Sequence, residues 1–173
     1  MIYFLATLGV AFVILLLLLI YTWKNGTSPT PTSHKIREAL SKNLPDLTTG
    51  KIIELGSGWG NLAFLLSKKY PHCSIIAYEN SPIPYLYSQL LNHQANLKIV
   101  QADFFSKNLE KADLVVCYLF PKMMGRVREK LEKELAKGTH VITHTYPIPG
   151  WNAKKIIKVG EAFQSTIYIY EVI

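Results

Sequence analysis

The chain opens on an unbroken apolar stretch. From Ile2 to Trp23 no side chain ionises except tyrosine, and the run VILLLLLI lies inside it. A helix of this length reaches across the roughly 30 Å hydrocarbon core of a bilayer, so the stretch reads as a transmembrane helix. Tyr3 and Phe4 at one end, and Tyr21 and Trp23 at the other, stand where amphipathic rings settle at membrane interfaces. The rival readings are a cleavable signal peptide and a buried core helix. A signal peptide would carry a basic leader and a small-residue cleavage site, whereas here no Lys or Arg precedes Lys24 and the apolar run is followed by TWKNGTSPTPTS. Because Lys24, Lys35 and Arg37 follow the helix, the positive-inside rule places the rest of the chain in the cytoplasm.

Beyond that helix the pattern changes to short β-type runs alternating with helical ones, the signature of a parallel sheet covered on both faces. The stretch NGTSPTPTS, Asn25 to Ser33, has two prolines and reads as a semi-rigid connector. Ser33 then caps a helix with Ile36, Ala39, Leu40 and Leu44 on one face, ending before Pro45. Strands are expected at Lys51–Leu55, Ser74–Glu79, Leu97–Gln101, Ala112–Cys117 and His140–Thr145. Helices are expected at Leu62–Lys69, Pro84–His93 and Lys122–Lys137, the last with Glu and Lys at pairing distance on a solvated face that includes Lys122, Arg126, Arg128 and Lys130. Two final β stretches, Lys154–Val159 and Thr166–Val172, flank GEAFQS and read as a closing hairpin. The organisation is therefore an anchor over 1–23, a linker over 24–33 and one α/β domain over 34–173.

Composition narrows this little further. The 173 residues leave roughly 140 after the anchor, enough for one core. The two cysteines, Cys73 and Cys117, lie in apolar runs and read as buried small hydrophobes rather than as a disulfide or metal site. A net charge of +7 is spread along the chain, which suits work near an anionic membrane better than nucleic-acid binding. His140 and His144 share one strand face without a third ligand, so packing or a substrate-facing His144 is preferred to a metal pair. His34, His72 and His93 read as surface or cap residues.

The candidate chemistry lies in KIIELGSGWGNL, Lys51 to Leu62: a strand, Glu54, glycines at 56, 58 and 60, then a helix. A dinucleotide fingerprint needs its third glycine at position 61, where this chain has Asn61. The pattern here is E-x-G-x-G-x-G, and the acid at the strand end repels a pyrophosphate but welcomes the amino group of an amino-acid ligand. That favours S-adenosylmethionine (SAM). Glu79, closing the second strand, can accept both hydroxyls of a ribose. Asp103, after the third, can accept from an adenine amino group while Phe104 packs on the base. Singly, each acid is as readily a cap or surface residue; in this order they point to SAM.

With these residues in view, the chain resembles the seven-β-strand SAM-dependent methyltransferases over about Thr30 to Ile173. It resembles in particular the membrane-associated protein-lysine methyltransferases, which include the enzymes acting on the adenine nucleotide translocase and on the ATP synthase c-ring protein. PTPTSHKIREAL, IIELGSGWGNLAFLLSKK, YENSPIPYLYS, YLFPKMM and LEKELAKGTHVITHTYPIPGW carry the likeness. It implies a Rossmann-like, mostly parallel sheet with an antiparallel last strand. It implies cofactor contacts at Thr32, Glu54, Gly56, Ser57, Gly58, Gly60, Glu79, Asn80, Asp103 and Phe104. The chain departs from the family where Glu54 replaces an Asp, Trp59 an acidic residue and Asn61 an Arg.

Methyl transfer is an in-line displacement needing an aligned, unprotonated nucleophile and no metal. A lysine acceptor, with a solution pKa of about 10.4, loses its proton more easily when desolvated among aromatic rings. Tyr118, Phe120 and Pro121 after the fourth strand, and Tyr146, Pro147 and Trp151 after the fifth, are the expected walls, with Tyr118 orienting the amine. The expectation is a single-pass protein of a bacterial inner or an organellar membrane that methylates a lysine of a protein partner. A small-molecule or lipid methyltransferase and a non-catalytic SAM-binding membrane protein are the alternatives.

Overall fold

The computed structural model describes residues 1–26, 30–160 and 165–173. Helix α1 (Ile2–Asn25) is stopped by Gly26, whose φ of 71° puts it in the left-handed conformation that suits glycine at a helix C-terminus. Helix α2 (His34–Asn43) starts at Ser33, whose hydroxyl accepts the Ile36 amide, and buries Ile36 and Leu40. Then follow β1 (Gly50–Leu55), α3 (Asn61–Lys69), β2 (Cys73–Glu79), α4 (Pro82–Leu90), β3 (Leu97–Gln101), a 3₁₀ turn at Phe104–Ser106 and β4 (Leu114–Cys117). Helix α5 (Pro121–Glu134), β5 (His140–His144), β6 (Lys155–Lys158) and β7 (Thr166–Glu171) complete the chain.

The seven strands form one sheet in the order β3-β2-β1-β4-β5-β7-β6. Strands β1 to β5 run parallel to their neighbours, and β7 lies antiparallel between β5 and β6. This is the Rossmann-like sheet with an antiparallel last strand that the resemblance implies. The expected closing hairpin pairs β6 with β7, Lys155 opposite Ile169 and Lys158 opposite Thr166. Residues 161–164 of its turn lie outside the described residues.

Alternation along the strands divides the core. Ile52, Ile75, Ala77, Leu114, Val116 and Ile142 pack with Leu40, Leu62 and Leu66 on one face. Ile53, Leu55, Val115, Cys117, Val141 and Tyr170 pack with Met124, Val127 and Leu131 of α5 on the other. Both faces of β1 and β4 are thus covered, as near-continuous apolar runs in parallel strands require. Cys73 and Cys117 are buried, unpaired thiols. Burial, and then the Glu54 charge, push Cys117 up to about 12.

Three expectations shift. Helix α4 begins at Pro82 instead of Pro84, because proline's missing N–H costs nothing in a first turn. Strand β5 stops at His144 because Thr145 takes φ 70°. Lys130 is buried rather than solvated: its Nζ donates to the Lys107 carbonyl at 2.6 Å and pairs with Glu134 at 2.6 Å. Its ammonium and the carboxylate of Glu134, which also accepts the Leu109 amide at 2.9 Å, tie α5 to the loop before β4.

Candidate active site

The C-terminal ends of β1, β2 and β4 converge on a cleft of about 220 Å³. At the β1 end, the chain turns back across the tip of β2: the amides of Gly56 and Ser57 both donate to the Tyr78 carbonyl at 2.9 Å, and Gly60 N–H closes the loop on Ser57 O at 2.9 Å. A Cβ on Gly56 would sit 2.8 Å from Leu119, and one on Gly60 would sit 2.9 Å from the Ser88 Cβ, both too close. Gly58 differs. It also takes a positive φ, but nothing lies within 4 Å of where its Cβ would be, so the loop presents bare backbone to open space.

Glu79, 6% exposed, holds this loop in place. Its Oε2 accepts from Gly58 N and its Oε1 from Ser81 N, each at 2.7 Å. Each carboxylate oxygen keeps lone-pair capacity toward the cleft. Glu54, 3% exposed, is the opposite case: its Oε2 is buried and has no hydrogen-bond partner. Burial, helped by the Glu79 charge, raises its pKa from 4.5 to about 8. The Ser57 hydroxyl is likewise buried without a partner. A buried acid and a buried hydroxyl, both unpaired on one cleft wall, leave hydrogen-bonding capacity that a polar ligand bearing a cation would satisfy. The amino-acid part of SAM fits that requirement, and the uncovered Gly58 gives it room.

Thr32, Glu54, Gly56, Ser57, Gly58, Glu79, Asn80, Asp103 and Phe104 all line the cleft. Gly60 does not; it lets α3 pack against α4. Asp103 has a second duty, since its Oδ1 accepts the Phe105 amide at 3.0 Å and caps the 3₁₀ turn. Phe104 is buried, its ring 4.3 Å from that of Phe105.

The far wall is aromatic. Tyr118, Phe120 and Tyr146 line it, with Phe120 edge-on to Tyr146 at 6.4 Å. The Tyr118 ring lies 4.4 Å from His144, which burial holds neutral by lowering its pKa to about 4. Behind them the left-handed Thr145 is braced by its amide bond to the Thr166 carbonyl at 2.7 Å, and the Thr143 hydroxyl donates to the Tyr146 carbonyl at 2.8 Å. This strained corner fixes where Tyr146 emerges. Pro121 and Trp151 stand apart from the cleft. Pro121 starts α5, while the Trp151 indole donates to Glu132 at 2.9 Å and packs edge-on against Tyr170.

Sequence reasoning missed Asn25, Ser81, Leu119 and Met123, which also line the cleft. Asn25 is the last residue of α1. Its amide donates to Ser81 Oγ at 3.1 Å, and Asn80 donates to its carbonyl oxygen at 3.1 Å. No local pattern marks a residue so far from the glycine loop in sequence. Trp59, visible only as a departure from the family pattern, lines the cleft as well.

Comparison with known proteins bears directly on this cleft. The chain is 30% identical over 125 residues to a protein-lysine N-methyltransferase of Saccharolobus islandicus (strain REY15A), covering 69% of this chain and 77% of that protein. It is 26% identical over 126 residues to the human lysine N-methyltransferase of the ATP synthase c-ring protein, covering 70% of this chain and 52% of that one. It is 24% identical over 118 residues to the mouse adenine nucleotide translocase lysine N-methyltransferase, covering 64% and 50%. The chain thus spans about half the length of these two mammalian relatives. An RNA methyltransferase of Salinibacter ruber, solved with S-adenosyl-L-homocysteine, shares the fold with a TM-score of 0.72 at 21% identity, over 83% of this chain and 94% of that one. The ANTKMT methyltransferase domain family matches residues 54–155. That span holds every cleft residue from Glu54 to Tyr146 and leaves out only those supplied by the end of α1 and the segment before α2, so the chain belongs to this family of SAM-dependent methyltransferases.

Proposed function

We propose that the chain transfers a methyl group from SAM to the side-chain amine of a lysine on a membrane-associated protein, held to the bilayer by α1. The observation that carries this reading is the junction of two halves in one cleft. A wall of carboxylates and bare backbone meets a wall of tyrosine and phenylalanine rings, and the end of the apolar α1 reaches the same cleft through Asn25. The curated relatives named above act on lysines, and two of them on proteins of membranes.

SAM bound here supplies a methyl group on a cationic sulfonium. Glu54 and Ser57 meet its amino-acid end, Glu79 its ribose hydroxyls, and Asp103 with Phe104 its adenine. Tyr118, Phe120 and Tyr146 line the remaining space, and rings there exclude water from an incoming ammonium, favouring its neutral form. The Tyr118 hydroxyl accepts from the amine and aims its lone pair. His144, neutral behind Tyr118, adds no positive charge to oppose the approach of the cationic cofactor. Alignment supplies the bulk of the acceleration.

Helix α1 is long and apolar enough to cross a membrane, with a mean hydropathy of 2.8. Lys24, Lys35 and Arg37 on its C-terminal side put the catalytic domain on the cytoplasmic face. The test is to incubate the purified full chain with radiolabelled SAM and membranes from a strain lacking it, separate protein from lipid, and hydrolyse the labelled protein. Label recovered as methyl-lysine, and lost with Gly58→Arg, is the expected result. Label in lipid would establish a lipid methyltransferase instead, and SAM binding without label would establish a non-catalytic role.

A further inference from the structure

Helix α4 carries no ionisable group except tyrosine and does not bury its apolar residues on one side only. Pro84, Tyr85 and Ser88 face the sheet. Ile83, Leu86, Tyr87 and Leu90, spaced three and four apart, form the opposite face, with Leu86 59%, Tyr87 49% and Leu90 77% exposed. A surface helix in water presents charge there, as α5 does with its Arg, Lys and Glu.

This face is continuous with α1. Leu17, Leu18 and Tyr21 border a shallow crevice with Ser81, Pro82, Ile83 and Pro84, and the Asn25 bonds to Asn80 and Ser81 fix the angle between the helices. At ~1.5 Å per residue, Leu17 lies about 6 Å deeper along α1 than the interfacial Tyr21. Ile83 and Pro84 therefore meet α1 at the edge of the hydrocarbon, not above the headgroups. On its other side the face reaches the cleft: Trp59, on the cleft rim, packs edge-on against Tyr87 at 5.3 Å.

Resting on the reading of α1 as a membrane helix, we propose that the outer face of α4 is seated in the interfacial layer of the same bilayer, with Leu86 and Leu90 among the acyl chains and Trp59 and Tyr87 at headgroup level. Lipid suits the face better than a second copy of the chain does. A helix of nine residues offers a footprint of only a few hundred Å², well below the ~800 Å² per partner of a stable protein interface. The adjoining α1 surface is apolar all round and needs the same solvent. Seated this way, the cleft mouth opens at the membrane surface, and the acceptor amine is one presented at headgroup level, where Lys side chains on membrane proteins snorkel.

Spin labels on the full chain in phosphatidylcholine–phosphatidylglycerol vesicles test the inference. Single labels are placed at L86C, L90C, V10C in α1 and E129C on the exposed side of α5; the native Cys73 and Cys117 are buried and do not take the reagent. Collision rates with oxygen, which concentrates in lipid, and with a nickel chelate, which stays in water, are compared. L86C and L90C are expected to give an oxygen-to-nickel ratio about tenfold above that of E129C, as for an apolar face sunk into the acyl boundary. If V10C reads as lipid but L90C matches E129C, α1 is a membrane helix and the seating of α4 is wrong. If V10C itself reads as water, the anchor reading fails and the inference with it. Labels at L90C shielded from both reagents and broadened by one another would show a second copy on the face, and would overturn the proposal.

Discussion

The two walls of the cleft are built by different means. The cofactor wall is made of backbone turns and carboxylates, each fixed by hydrogen bonds: two loop amides on Tyr78, and Glu79 holding Gly58 and Ser81. The acceptor wall is made of rings positioned by the loops that leave β4 and β5 and by the strained Thr145. The first wall suits a ligand of constant shape with many polar groups. The second suits a flexible apolar stem ending in one amine, which needs exclusion of water and a direction of approach more than a matched set of bonds. If that division is right, substitutions on the two sides fail in different ways.

The largest effect is expected from Glu79→Ala. Removing the carboxylate strands two backbone amides and deletes the ribose acceptor, and charge-assisted bonds contribute roughly 1.5–3 kcal/mol each. Cofactor affinity measured by titration calorimetry should fall by roughly 100-fold or more. Unchanged affinity would remove Glu79 from the ribose site and weaken the contrast at its strongest point.

On the other wall, Tyr118→Phe and Tyr146→Phe should leave cofactor affinity within about twofold while kcat/KM for the acceptor drops by about 10-fold, the cost of one orienting hydrogen bond. Loss of cofactor binding in either variant would show that the two walls are not separate in function.

A smaller effect, specific to the cofactor wall, comes from Glu54. Its pKa is raised from 4.5 to about 8, so the folded protein holds a proton that the unfolded chain gives up. Stability of the ligand-free protein should therefore fall as pH rises from 4.5 through about 8, by an amount that Glu54→Gln abolishes in thermal melts. Conversely, binding a ligand that carries an ammonium group stabilises the carboxylate. Near pH 7 it should release up to about one proton, seen as a buffer-dependent heat in calorimetry and absent in Glu54→Gln. A pH-independent binding heat would mean that the amino group lies elsewhere.

How readily each wall shows in the sequence follows from its construction. Glycines at 56, 58 and 60 are needed wherever backbone must turn sharply or meet a ligand, and acids at strand ends have few structural uses, so Glu54 and Glu79 stood out by type and position. Rings have many uses. Tyr118, Phe120, Tyr146 and Trp151 are alike as residue types, yet three face the cleft and Trp151 instead joins α5 to β7 through Glu132 and Tyr170. Lys130 shows the same limit: its spacing placed it on a solvated face, while the loop before β4 folds over it and supplies carbonyl partners.

By itself the sequence determined the apolar α1, the alternation that makes a covered parallel sheet, and the glycine loop with its acids. Each rests on local periodicity or on a backbone demand that few residue types meet. Only the tertiary structure decided that Asn25 closes the cofactor cleft and that α4 turns its apolar face outward beside α1, where Trp59 joins it to the cleft. These depend on which segments meet after long loops close, and periodicity shows that a face is apolar without showing what covers it.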